Sequence, residues 1–100
     1  RTLAIFGAMR DKQVSEVAGA MAGAIDRWYP CAIALERGLS GIEVTERLPV
    51  DGAAVADPAA GPVEALVAAR AEAGEGDRIV AFGSFLVVAG VLEGMDAVPS

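Results

Sequence analysis

Apolar residues along this chain fall in two different rhythms. Leu3-Ala-Ile-Phe6 and Ile79-Val-Ala-Phe82 are continuous apolar runs, each stopped by a glycine. The lack of alternation predicts strands buried on both faces, as in a parallel sheet. Trp28 to Ala34 predicts a further strand, and Ala53 to Ala56 a short, weaker one. Between them the spacing becomes helical. Val14, Val17, Ala18, Met21 and Ile25 share one stripe, and Gly19 and Gly23, four apart, read as a close-packing face. Ser40-Gly-Ile-Glu43 has the form of a capping box, opening a helix to about Leu48. Asp57-Pro58 offers an N-cap followed by proline, while Gly61-Pro62 offers a later start, near Val63. That helix is expected to reach Ala73, with Val63, Leu66, Val67 and Arg70 on one face. Gly74-Glu-Gly-Asp77 is its glycine stop and turn. The last helix is expected from Phe85 to Leu92.

Four strand–helix units in succession predict an α/β domain. Its architecture is Rossmann-like: a mostly parallel sheet of repeated βα units, right-handed crossovers and helices on both faces. One hundred residues suit a single domain, and a hydrophobic fraction of 54% is ample for its core. The run from Ile79 to Leu92 is shorter than the ~20 residues of a membrane-spanning helix and is broken by Gly83-Ser84. Neither a membrane span nor a signal peptide is expected. The chain begins at Arg1, without an initiator methionine and directly against a strand, which reads as a truncated domain.

Charge and residue types narrow the chemistry. The net charge of −6 disfavours nucleic acid and anionic membrane as partners. With no histidine, the chain cannot build a Ser–His or Cys–His pair or an imidazole metal ligand. The single Cys31 excludes an internal disulfide, suits a reducing cytoplasm and reads as an inert core thiol.

Ligands of parallel α/β sheets bind beyond the carboxyl ends of the strands. Two strand-to-helix loops there carry suggestive residues. In Gly7-Ala-Met-Arg-Asp-Lys-Gln13, Asp11 is a candidate N-cap, and Lys12, with Arg10, can face an anion together with backbone N–H groups. The plainer reading is a solvated lysine after a cap. In Gly83-Ser84-Phe85, Gly83 permits a tight turn and Ser84 presents a hydroxyl at a helix start; a simple cap is again the plainer reading. Ser84 has no histidine to activate it as a nucleophile. Gly74-x-Gly76 follows a helix and precedes a strand, the wrong end of the sheet for a dinucleotide fingerprint.

Taken together, these loops resemble a known family. Leu3-Ala-Ile-Phe-Gly-Ala-Met-Arg-Asp-Lys12 is similar to the "apolar strand, Phe-Gly-Ala, Asp-Lys" segment of the C-terminal domain of folylpolyglutamate synthases. Gly76-Asp-Arg-Ile-Val-Ala-Phe-Gly-Ser-Phe85 is similar to their "Gly-Asp, apolar strand, Phe-Gly-Ser" segment, and Asp26-Arg-Trp-Tyr29 fits the second strand. The family is the bacterial dihydrofolate synthase/folylpolyglutamate synthase branch of the Mur ligases. The resemblance implies a C-terminal glutamate-ligase domain over residues 1–100, incomplete at its N-terminal end. It implies ATP and Mg²⁺ as cofactors of the parent enzyme, bound mainly by a missing N-terminal ATPase domain. An acyl phosphate on dihydropteroate or folate would be attacked by the amino group of glutamate. Lys12 would orient a glutamate carboxylate, assisted by Ser84 and Phe85, with Asp11, Arg10 and Gly83 supporting the loops. Consistently, the chain carries no Gly-x-x-x-x-Gly-Lys-Ser/Thr loop and no acidic-Gly-Ala-His-Asn-Pro segment, so no catalytic residue and no turnover are expected of it alone. Gln13 and Leu86-Val87 depart from the family pattern. Two other readings stay open: a non-catalytic small-anion-binding module, and the C-terminal domain of a peptidoglycan Mur ligase.

Overall fold

The computed structural model describes residues 1–10, 13–48 and 54–97. Four strands, β1 (Thr2–Phe6), β2 (Arg27–Pro30), β3 (Ala54–Val55) and β4 (Arg78–Phe82), form one sheet in the order β3-β2-β1-β4. Every pairing is parallel. Helices α1 (Val14–Met21), α2 (Gly41–Glu46), α3 (Pro62–Glu72) and α4 (Phe85–Ala97) follow the strands in turn. Val14, Ala18, Val44 and Leu48 pack with Ala4, Phe6 and Trp28. Ala65, Leu66, Ala69, Val87 and Val91 pack with Leu3, Ile5 and Tyr29. Helices therefore cover both faces, α1 and α2 on one and α3 and α4 on the other. The α/β, Rossmann-like parallel sheet expected from the hydrophobic pattern is the fold observed.

Strand β1 lies between β2 and β4, and its apolar residues Leu3 to Phe6 are wholly inaccessible. Beneath α1 and α2, the rings of Phe6, Trp28 and Phe82 meet with centroids 5.0 to 5.9 Å apart, linking β2, β1 and β4. Edge-to-face and tilted pairs of this kind add to area burial by about 0.5–1.5 kcal/mol each.

Several local expectations need correction. Strand β2 ends at Pro30, not Ala34: Ile33 N–H turns back to donate to the Leu39 carbonyl (3.2 Å). Helix α3 begins at Pro62, after Gly61, so the later of the two starts is the real one. Asp57-Pro58 cannot open it, because Ala59 is held extended beside the continuation of β2, donating to Pro30 and accepting from Ala32 (2.9 and 3.1 Å). The buried face of α3 is Ala65, Leu66 and Ala69, while Val63 and Val67 are exposed. Short side chains let this helix lie close on the sheet. Helix α4 runs past Leu92 to Ala97 because Gly90 and Gly94 fit against α3. A Cβ at Gly90 would lie 2.9 Å from Pro62, and one at Gly94 would lie 3.2 Å from Leu66. Gly19 and Gly23 are not a packing face: both are exposed, with nothing within 4 Å of an added Cβ. Val17 and Met21 of the expected stripe are exposed as well.

The capping box of α2 is formed as read, with Ser40 Oγ accepting from Glu43 N–H and the Glu43 carboxylate accepting from Ser40 N–H, both at 3.1 Å. The turn after α3 holds Gly76 at φ +85°.

Gly83, at φ +105°, sits where an added Cβ would collide with the Gly7 carbonyl and lie 2.7 Å from the Phe6 ring. Replacing Gly83 by alanine should lower the unfolding free energy by about 2–4 kcal/mol, combining a left-handed backbone penalty with a steric clash. Gly19→Ala, on an open helix surface, should raise it by about 0.5–1 kcal/mol. Urea unfolding of the two variants checks both signs.

Candidate functional site

The carboxyl ends of the strands gather four loops: residues 7–10 after β1, 31–40 after β2, 56–61 after β3 and 83–84 after β4. The first two are laced together. Leu39 N–H donates to the Ala8 carbonyl (3.0 Å), Arg10 N–H donates to the Arg37 carbonyl (2.6 Å), and Met9 bridges Gly38 in antiparallel fashion. Cys31 N–H donates to the Phe6 carbonyl (2.9 Å), carrying the β1–β2 pairing beyond β2. The last loop seats against the first at the Gly7–Gly83 approach. A Cβ at Gly7 would itself lie 2.9 Å from both the Cys31 carbonyl and Val87.

Within this frame the residues singled out from sequence have different surroundings. Asp11 and Lys12 lie outside the described residues. The Arg10 guanidinium is held by Glu43 through two parallel bonds, Nη1 to Oε2 at 2.7 Å and Nη2 to Oε1 at 3.0 Å. Its charge is matched by a carboxylate of the chain itself, the fork-on-fork geometry of the strongest surface pairs. Ser84 is half-buried, and its Oγ accepts from Leu86 N–H (3.2 Å), capping α4 while its own hydroxyl proton stays available. Gly83 makes the tight turn expected of it. Phe85 opens α4, and its side chain lies outside the described residues. Gln13 directly precedes α1 without a side-chain cap bond. Of the other departures, Leu86 is exposed and Val87 is a core residue.

Three features were missed by the sequence reading. Glu43 had been recognised as a capping residue but not as the partner of Arg10. Arg47 donates to the Glu43 carbonyl (2.9 Å) and, with Gln13, Ser15 and Glu16, lines a polar cleft of about 230 Å³ at the start of α1. On the opposite face, Ile33, Leu35, Pro62, Val63 and Leu86 line an open apolar cleft of about 300 Å³ with Glu93 at its side. The nearest sequence signal for that cleft was the pair Leu35 and Leu86, apolar residues beside turns.

Hydrogen bonds from Arg10, then from the Ser40 backbone, hold the Glu43 carboxyl down at about 2. Burial, with a smaller push from Glu64, raises the Cys31 thiol to about 12. Cys31 is therefore a neutral core thiol, as expected. Among the described residues no three His, Cys, Asp or Glu side chains are grouped to hold a metal. The chain also has no Gly-x-x-x-x-Gly-Lys-Ser/Thr phosphate loop among its residues. Nor is any helix among the described residues long and apolar enough to cross a membrane.

A parallel α/β domain whose strand-to-helix loops converge at one edge, without its own nucleotide loop, is the class defined by this geometry. No family model and no curated protein matches the chain. Solved structures do. Over 97% of the chain, the fold superposes on E. coli FolC, described with DHPP and ADP, at a TM-score of 0.83 and 30% identity. A Yersinia pestis bifunctional folylpolyglutamate synthase/dihydrofolate synthase, described with AMPPNP and Mn, gives 0.81 over 96% at 23% identity, which supports the fold alone. A further structure of such a synthase, with Mn, AMPPNP and L-glutamate bound, gives 0.81 at 24% identity. The chain spans 22% of the length of each. The resemblance read from the two loop motifs is borne out: the chain superposes over nearly its whole length on part of a folylpolyglutamate synthase/dihydrofolate synthase.

Two outcomes follow from the shifted groups. Glu43 is depressed in the folded state, so its contribution to stability is complete above the ordinary carboxylate range, near 4.3. It is lost as pH falls towards about 2. The stability advantage of wild type over Glu43→Gln should be flat above about pH 5 and shrink below it, as read by urea midpoints across pH. Cys31 should resist iodoacetamide at pH 8 in the folded protein and react on unfolding, followed by mass spectrometry.

Proposed function

We propose that this chain is the C-terminal, glutamate-handling domain of an ATP-dependent ligase that joins L-glutamate to dihydropteroate or folate. The observation that carries the reading is the match to E. coli FolC, 30% identical over 97% of the chain. In the proposed reaction the γ-phosphoryl group of ATP passes to the substrate carboxylate, releasing ADP and forming an acyl phosphate. The glutamate amine then attacks the acyl carbon, loses a proton and expels inorganic phosphate, leaving an amide.

On this reading the nucleotide and Mg²⁺ are held mainly by an N-terminal ATPase domain outside these residues, and the chain alone does not turn over. The convergence of the β1 and β4 loops supports a role at the edge facing that domain. The domain itself is read as incomplete at its N-terminal end. A cytoplasmic location agrees with the single unpaired Cys31.

Lys12 is assigned to a carboxylate of glutamate, with Ser84 and Phe85 completing the contact from the last loop and Asp11, Arg10 and Gly83 supporting it. Glutamate-dependent ADP release by the full-length protein, given dihydropteroate or a folate, tests the reaction; no release with either acceptor overturns it. Lys12→Ala should raise the glutamate KM at least tenfold, about 1.4 kcal/mol, leaving the ATP KM within about twofold. An unchanged glutamate KM removes the role given to Lys12 without touching the domain assignment.

A further inference from the structure

The Arg10–Glu43 pair joins the β1–α1 loop to the first turn of α2, residues 33 apart in the chain, at the edge of the sheet where ligands bind. One carboxylate does two jobs there. Its Oε1 accepts from Ser40 N–H at 3.1 Å and from Arg10 Nη2 at 3.0 Å, while Oε2 accepts from Arg10 Nη1 at 2.7 Å. The guanidinium is thus fixed to the first turn of α2, and α2 is fixed in turn by Val44, with Leu48 just beyond its end, in the core. The backbone around Arg10 is tied at the same place, through the Ala8–Leu39 and Arg10–Arg37 bonds. A two-pronged Arg–carboxylate contact sets both a distance and a plane, which a lysine or a single bond does not. Groups that bind a substrate must be held within about 0.5 Å of their working position.

We infer that Arg10 and Glu43 are positioning residues, whose two-pronged contact fixes residues 8–10, the start of the β1–α1 loop, against α2 so that the incoming amino acid's carboxylate is bound beside them. This rests on the ligase reading above. Arg10, already matched by Glu43, fixes the loop and is not itself a ligand for the substrate. Losing the pair therefore weakens glutamate binding and leaves nucleotide binding, a task of the remainder of the enzyme, as it was.

Glu43→Gln separates the two jobs, because glutamine at this position of a capping box still accepts from the Ser40 N–H while losing the ionic contact with Arg10. Arg10→Gln removes the contact from the other side and serves if the first variant folds poorly. In the full-length protein, each should raise the glutamate KM about five- to tenfold, with kcat and the ATP KM within about twofold and Tm within about 3 °C of wild type. The double variant should be no worse than either single one, since both remove the same contact. Arg10→Lys should recover only part of the loss. Glutamate KM values within twofold of wild type in both single variants would overturn the inference. So would additive losses in the double variant, or KM values for glutamate and ATP rising together with a large fall in Tm, which would mark a purely structural pair. Failure of the wild-type enzyme to release ADP with glutamate overturns the ligase reading itself, and this inference with it.

Discussion

Strand β1 is hydrogen-bonded on both edges and covered on both faces, and this double enclosure organises the domain. A strand so placed cannot carry a polar side chain inwards on either face, which is why Leu3 to Phe6 contains none. It also forces the chain to leave at Gly7, where the carbonyl of Cys31 and the side chain of Val87 leave no room for a Cβ. The loop that follows is thus launched from a tightly constrained point of the structure. Function in α/β domains is generally placed on such loops, because a rigid strand end defines where their first residues point.

From that point the constraint spreads sideways. Backbone bonds tie residues 8–10 to residues 37–39, and Ala59 closes on Pro30 and Ala32, so three of the four loops form one laced edge. The fourth joins through Gly83, whose left-handed backbone brings it against Gly7. Buried polar backbone must find partners, and here each loop supplies them to the next. The amino end of the sheet is tied as well, with Asp26 N–H donating to the Thr2 carbonyl (2.9 Å) and Arg78 N–H to the Arg1 carbonyl (3.0 Å). Arg1 pairs with Asp77 at 2.9 Å and Arg27 with Glu72 at 3.2 Å, exposed contacts of the kind that usually contribute about 0–1 kcal/mol.

The sequence was most legible where one local rule decides the outcome. Continuous apolar runs stopped by glycine located β1 and β4, and Ser40-x-x-Glu43 located the start of α2. It was least legible where two patterns share one signature. Val63 and Val67 looked like the inner face of α3, but the close approach of helix to sheet selects Ala65 and Ala69, and alanine carries little patterning signal. Gly19 and Gly23 have the same four-residue spacing as Gly90 and Gly94, yet only the second pair meets another helix. Spacing alone cannot tell which glycines face a neighbour. Among the site residues, Gly83 and the capping role of Glu43 follow from local backbone rules, whereas the Arg10–Glu43 contact joins a loop to α2 and is decided by how the sheet brings them together.

That contact also changes how cations near this edge are to be counted. A count of charges along the β1–α1 loop credits Arg10 and Lys12 equally with attracting an anion. Once Glu43 takes the guanidinium in two bonds, Arg10 adds little net field, and its effect becomes geometric. An acidic chain with a net charge of −6 gains from this arrangement. Several unpaired cations side by side would hold phosphate, nucleotide and carboxylate alike, because point charges discriminate poorly among anions. On the ligase reading proposed above, neutralising one of them and using it to set the position of the loop would move recognition from charge towards shape.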